Sequence, residues 1–342
     1  MEFLSWLLTE DVQRIRATFS AGGPYGAPAL LGALIFAGAY YVGRRRARSR
    51  SMSLRAFTRT IFAKRILLHP SSLVDFRLWT INAIVLAAAY GLLAVGNLAC
   101  RDLVVGALTR GFGAHTPLAW PIWVVMGIAT LFELLAYEFG YWGAHYTFHR
   151  IPALWEFHKV HHSAEVMTTL TEMRQHPVEI IAFVNVIAVT TGTVFGVMTY
   201  VFGPGVGHFT LFNGNLVLVL FLLTWGHLRH SHMWIAFTGL AGRMFQSPAH
   251  HQIHHSTDPR HFDKNLGYAL AIWDWAFGTL YVPSKQREVI QYGVGESRGD
   301  FDSATRSLIR PFVRAGEHLA PAASAPKPEV AAVDARSSRA TL

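Results

Sequence analysis

The sequence predicts an all-α integral membrane protein of about four to five transmembrane helices, with a cytoplasmic histidine-rich helical cap. Three observations predict it. Of 342 residues, 51% are hydrophobic and 15% charged, where soluble domains carry about 25% charged residues. Four long stretches lack Asp, Glu, Lys and Arg altogether. Fifteen of the 18 histidines lie between His145 and His261. A mean hydropathy of +0.27 excludes disorder for most of the length.

The elements follow in order. The apolar run Phe3–Leu8 is short for a cleavable signal peptide, and Glu10 and Asp11 follow it directly. Residues 1–27 therefore read as an amphipathic segment. Charge-free stretches then run over Ala17–Gly43, Leu78–Cys100, Gly111–Phe132 and Ile180–Leu228. About 20 apolar residues cross a bilayer, so the first three each fit one span, near Pro28–Val42, Trp79–Leu98 and Leu118–Tyr137. The fourth is too long for one crossing. The turn signal Phe202-Gly203-Pro204-Gly205 divides it into spans near Ile180–Tyr200 and Phe209–Trp225. The membrane domain extends over 28–314, and the Ala-, Pro- and Ser-rich end, 315–342, reads as a disordered tail.

Charge orients these spans. The connection Arg44–Arg77 holds ten basic residues against Asp75 alone. By the bias of Lys and Arg toward the cytoplasm, it lies inside, and segments 140–177 and 227–310 lie inside with it. The net charge of +9 and pI near 9.9 therefore fit anionic lipid headgroups rather than nucleic acid. Cys100 is the sole cysteine, which excludes an intramolecular disulfide and any thiolate-built metal site.

The histidine spacing points to metal chemistry. His145 and His149 are an i, i+4 pair, and His158-x-x-His161-His162 and His251-x-x-His254-His255 repeat one i, i+3, i+4 pattern. On a helix such residues point from one face. Extending the third span carries His145 and His149 out of the membrane. Eight imidazoles exceed the needs of one ion, since zinc takes four ligands; two ions use them well. Further candidate ligands are His230 first, His227 next and His232 last. His176, just before the fourth span, is a ligand or a group that orients one. Spacing leaves zinc, copper and iron open. Soluble di-iron bundles use Glu-x-x-His instead; an all-nitrogen iron site would be the stronger electrophile.

These boxes, with Asn265-Leu-Gly267 and Trp273-Asp274-Trp-Ala-Phe277-Gly278-Thr279, resemble the fatty acid hydroxylase/sterol desaturase superfamily over roughly Glu138 to Val282. The resemblance implies a di-iron centre of two iron ions at the cytoplasmic helix ends, with O2 as co-substrate. It implies hydroxylation or desaturation of a lipid such as a sterol, fatty acyl chain or polar lipid. It also implies an external electron donor of the cytochrome b5 or ferredoxin/reductase kind. The ligand role carries over to His145, His149, His158, His161, His162, His251, His254 and His255. The family's Phe-x-His-Ser-Asn stretch matches Leu228-Arg-His230-Ser-His232, with His232 in place of Asn. The C-terminal residues Arg339–Leu342 carry no eukaryotic retrieval signal, which favours a bacterial inner membrane.

Blander readings stand beside these. His69, His115, His208 and His318 read as structural, and His250 and His261 as solvated or orienting groups. Glu138 either orients His145 or lies at headgroup level without a role. Asp274 either accepts from a ligand imidazole or serves a cap or turn. A histidine-based metal transporter and a bis-histidine haem electron carrier are the alternative functions. The first would show metal flux in liposomes, the second a Soret band.

Overall fold

The computed structural model describes residues 26–49, 51 and 53–320, without the side chains of 84–92 and 296. The amphipathic segment read over 1–27 falls almost wholly outside the described residues, and so do residues 321–342 of the tail. The chain is helical apart from one small hairpin. In order come α1 (Ala27–Arg46), α2 (Leu54–Ile61), α3 (Lys64–Leu67), α4 (Pro70–Leu93), α5 (Asn97–Phe112) and α6 (Ile122–Arg150). Then follow α7 (Pro152–His162), α8 (Pro177–Phe202), α9 (Leu216–Leu222), α10 (Gly239–Met244), α11 (Pro248–His254), α12 (Ile272–Phe277) and α13 (Ala304–Leu319). Among the described residues, α1, α6 and α8 are long and apolar enough to cross a membrane.

The second expected span, Trp79–Leu98, has different ends. α4 begins nine residues earlier, and the chain breaks at 94–96 before α5. The break is stapled to α8, where Asn185 donates to the Leu93 carbonyl at 3.0 Å and accepts from Val95 N–H at 2.6 Å. Together α4 and α5 follow α8 from end to end, from Asn82 Nδ2 on the Gln175 carbonyl to Tyr200 OH on the Gly113 carbonyl. Small residues allow the close approach. A Cβ on Gly192 would lie 2.5 Å from the Cys100 Cβ, and one on Gly196 2.6 Å from the Val104 Cβ.

The fifth expected span is corrected. Residues 209–225 form no spanning helix. They form the antiparallel pair Thr210–Leu211 with Gly214–Asn215, then the seven-residue α9. Phe212 and Asn213 both take positive φ, the backbone of a tight two-residue hairpin turn. The hairpin hangs on α6, with Phe209 N–H donating to Thr130 Oγ1 and Asn215 Nδ2 to the Thr130 carbonyl. Irregular backbone at this depth needs protein cover. α1 provides part of it, its Gly32 set directly against the Leu223 carbonyl.

Two longer expectations hold. α6 runs unbroken for 29 residues, so one rod carries Val125 at one end and His145 and His149 at the other. α7 and α11 present the two repeated boxes, with His255 as the C-cap of α11. α13 packs across α7 and continues to Leu319, past the expected start of the tail at Ala315.

Candidate metal centre

Nine histidines converge in two groups. His145, His149, His158, His162 and His254 form one, and His161, His230, His251 and His255 the other. Within each group the possible ligand nitrogens all lie within 4.8 Å of one another. Every one of the eight box histidines is included. Of the four further candidates, His230 alone joins a group.

The outward nitrogens are pinned. His145 Nδ1 donates to the Leu266 carbonyl at 2.7 Å and His254 Nδ1 to the Lys264 carbonyl at 2.9 Å. His158 Nδ1 donates to Glu179 at 2.8 Å, and His149 Nδ1 to Asp263 at 3.2 Å. In the second group His161 Nδ1 donates to the Arg174 carbonyl and His230 Nδ1 to Glu172. A neutral ring that donates from Nδ1 carries a lone pair on Nε2. Those lone pairs face inward and face each other, His145 Nε2 to His158 Nε2 at 3.0 Å and His161 Nε2 to His230 Nε2 at 3.1 Å. Two lone pairs at that separation repel, and a cation between them relieves the repulsion.

Burial keeps the rings neutral. It pulls His158, His161, His162, His251, His254 and His255 well below the usual histidine range, with neighbouring imidazoles adding to the effect. For Glu172 burial pushes the other way, but Arg229 at 2.7 Å and His230 outweigh it and hold the carboxylate ionised. Buried His149 Nε2 and His254 Nε2 have no hydrogen-bond partner. Neutral nitrogen donors with free lone pairs fit a borderline transition metal such as iron, copper or zinc.

The other candidates have different work. His176 caps α8, accepting from Val178 N–H at 3.1 Å through Nδ1 and donating to the Leu308 carbonyl through Nε2. His227 is buried and lines an apolar cavity beside α1. His232 donates to the Thr60 carbonyl at 2.6 Å. His250, expected at a solvated or orienting position, is fully buried between Ser247 and the Gly242 carbonyl.

A loop closes the site from below, and it explains the Asn-x-Gly and Trp-Asp signatures. Asn265 takes positive φ and donates to the His250 and Tyr281 carbonyls. Gly267 admits no side chain, since a Cβ there would overlap the Leu270 carbonyl. Asp274 accepts four hydrogen bonds, from Leu266 N–H, Gly267 N–H, Thr279 Oγ1 and Gln246 Nε2. Of its two readings the turn role is the one seen. Glu138 likewise orients His145 only through this loop, accepting from the N–H groups of Tyr268, Ala269 and Leu270.

Sequence reasoning passed over Glu172, Glu179 and Asp263, the carboxylates that hold three of the imidazoles. A signal for two of them exists. Glu172 and Glu179 are the only carboxylates between Val166 and Thr257, and they flank the Arg174-Gln-His176 turn.

Residues 130–279, which hold both groups and the closing loop, match the family model described as fatty acid hydroxylase. The chain is 26% identical over 184 residues to alkylglycerol monooxygenase of Danio rerio, covering 54% of this chain and 35% of that protein. To the Homo sapiens protein of the same name it is 27% identical over 168 residues, 49% of this chain and 33% of the other. To ornithine lipid hydroxylase OlsE of Rhizobium tropici it is 27% identical over 197 residues, 58% and 54% respectively. The chain thus spans about a third to a half of the curated relatives it matches. No solved structure matches it. The converging histidine boxes and the loop that closes beneath them lie within the matched stretch, and together they support a place for residues 130–279 in the fatty acid hydroxylase superfamily.

Proposed function

We propose that this protein is a membrane-embedded, O2-dependent lipid hydroxylase that binds two iron ions. The observation that carries the reading is the pair of lone-pair contacts inside the histidine groups, His145 to His158 and His161 to His230. His145, His149, His158, His162 and His254 would hold one ion, and His161, His230, His251 and His255 the other. Bound there, iron supplies reductive O2 activation and hydrogen abstraction from an unactivated C–H bond.

The chain's own residues supply the rest. Leu266, Lys264 and Arg174 carbonyls and the carboxylates of Glu179, Asp263 and Glu172 fix the ring tautomers and orient the nitrogens. Protein covers most of the site, with eight of the nine histidines buried and the ninth, His149, half-buried. A cavity of about 500 Å³ reaches His149, His162, His254 and His255 past Trp155 and Phe262, and gives O2 a route inward. Electrons come from a separate carrier, of the cytochrome b5 or ferredoxin/reductase kind. The histidine end faces the cytoplasm, in keeping with the ten basic residues of Arg44–Arg77, and a bacterial inner membrane is the proposed location. Nine convergent imidazoles exceed the axial needs of haem, and transport sites lie nearer the middle of the membrane.

The test is metal content per chain with Mössbauer spectra, followed by incubation of iron-loaded protein with a lipid panel, a reductant and ¹⁸O2. Two coupled irons per chain and one ¹⁸O atom in a lipid product are expected. One zinc per chain, or no labelled product from iron-loaded protein, would overturn the reading.

A further inference from the structure

A basic cleft and an apolar cavity lie end to end along α1. The cleft, about 260 Å³, is lined by Arg44, Arg45, Arg48 and Arg287 with Tyr40 and Tyr41. Arg44 donates to Tyr40 OH, and Arg45 lies over the Tyr41 ring with its Nε buried and unpartnered. Among the described residues none of the four arginines makes an ion pair, and no carboxylate lines the cleft. The cavity, about 560 Å³, lies between the Ala27–Ala37 stretch of α1 and residues 61–67. His232 and Met233 line both spaces, so the two adjoin. His227 and Ser231, which flank His230 in sequence, are among the residues that line the cavity.

We propose that cleft and cavity form one binding site for a lipid with an anionic headgroup, and that this is the substrate class of the enzyme. The second clause rests on the hydroxylase reading above. Guanidinium forks match phosphate and carboxylate oxygens in pairs, and the four here have no counter-charge among the described residues. The length fits as well. From Arg45 to Leu31 the helix rises about 21 Å, more than the ~15 Å of one leaflet's hydrocarbon. The headgroup sits at the arginine end of α1, and the chain runs along its alanine face toward the wall that holds His230.

The test titrates the full chain in dodecyl maltoside with palmitoyl-oleoyl phosphatidylglycerol, the matching phosphatidylcholine, and inorganic phosphate, read by native mass spectrometry. Phosphatidylglycerol is expected to bind one per chain, at least tenfold tighter than phosphatidylcholine, with inorganic phosphate not retained. The exposed pair R48Q/R287Q is expected to weaken it about tenfold. The equally charged change R55Q/R59Q on α2, outside the cleft, is expected to shift it less than twofold. Ala63→Phe, which narrows the cavity, is expected to weaken the lipid too. Equal binding of phosphatidylcholine, retention of inorganic phosphate alone, or equal loss in both arginine pairs would overturn the site. Iron-loaded protein that oxidises phosphatidylcholine but not phosphatidylglycerol would overturn the substrate class. Binding as expected with no lipid oxidised would instead sink the hydroxylase reading and leave the lipid site standing.

Discussion

Asp274 and His145 are joined through one residue. Leu266 donates its N–H to Asp274 at 2.8 Å and accepts the His145 Nδ1 proton on its carbonyl at 2.7 Å. The imidazole's orientation therefore depends on a carboxylate 129 positions along the chain, and the Leu266–Gly267 peptide plane is held at both edges, its carbonyl accepting from His145 and its Gly267 N–H donating to Asp274 at 2.8 Å.

Asp274→Asn tests that dependence. Each Asp274 oxygen accepts two donors, and an amide would aim N–H at one of the pairs. Gln246 can flip to accept, but Leu266 and Gly267 N–H cannot. A loss of roughly 2–4 kcal/mol is expected, seen as a lower melting temperature and weaker metal retention. An unchanged melt would separate the two residues.

Glu179→Ala removes the acceptor of His158 and of no other imidazole, together with a longer contact from Gln175 Nε2. Metal affinity at the five-histidine group is expected to fall about 10–100-fold, so that dialysed protein keeps one metal per chain and not two. Glu179→Gln retains an acceptor oxygen and is expected to retain more metal. Equal loss of both metals in the alanine variant would argue against two separate groups.

Acid destabilises the protein, and the sign follows from burial. Six histidines sit well below 6.5 in the folded chain and return to about 6.5 when unfolded. Above pH 6.5 neither state binds these protons. Below it the unfolded state gains them first, so stability falls by about 1.4 kcal/mol per pH unit for each such histidine. Thermal melts of chelator-treated protein from pH 8 to pH 5 should drop steeply below pH 6.5. A flat profile would mean the rings are charged or exposed.

Gly192→Leu acts far from the metals. Its Cβ alone would stand 2.5 Å from the Cys100 Cβ and 2.6 Å from the Asn97 carbonyl. The substitution must push α5 off α8, at a cost of roughly 1–3 kcal/mol or more. A lowered melting temperature with unchanged metal content per folded chain is the expected pair of results.

The grouping of the histidines was the most legible part of the molecule, because spacing on a helix converts directly into direction. His145 with His149, and the two His-x-x-His-His boxes, needed only helices to come together. Read from the sequence, His230 comes first among the further candidates, and it alone joins a group. Which imidazole each carboxylate holds was not legible, since Glu172, Glu179 and Asp263 reach their partners across 58, 21 and 114 positions and obey no local period. The expected span at 209–225 fails because absence of charge does not by itself make a helix. The dipeptide Asn213-Gly214 inside that run is a hairpin signal, one residue out of register with the turn seen, whose central residues are Phe212 and Asn213 with Gly214 already in the second strand. The break at 94–96 was missed because it is fixed by Asn185, a contact between helices.

α6 is at once a membrane crossing and the bearer of His145 and His149. Its 29 residues rise about 44 Å, against a hydrocarbon core of about 30 Å. α8 couples the two environments likewise, with Glu179 in its first turn and Gly196 deep in its length. A thicker or thinner bilayer changes the tilt of such rods, and tilt moves their histidine ends relative to α7 and α11. Acyl-chain length in the surrounding membrane thus becomes a mechanical setting on the distances between imidazoles. On the function proposed above, an enzyme that remodels lipids would then feel the result of its own work, along with that of its neighbours, as strain among these histidines.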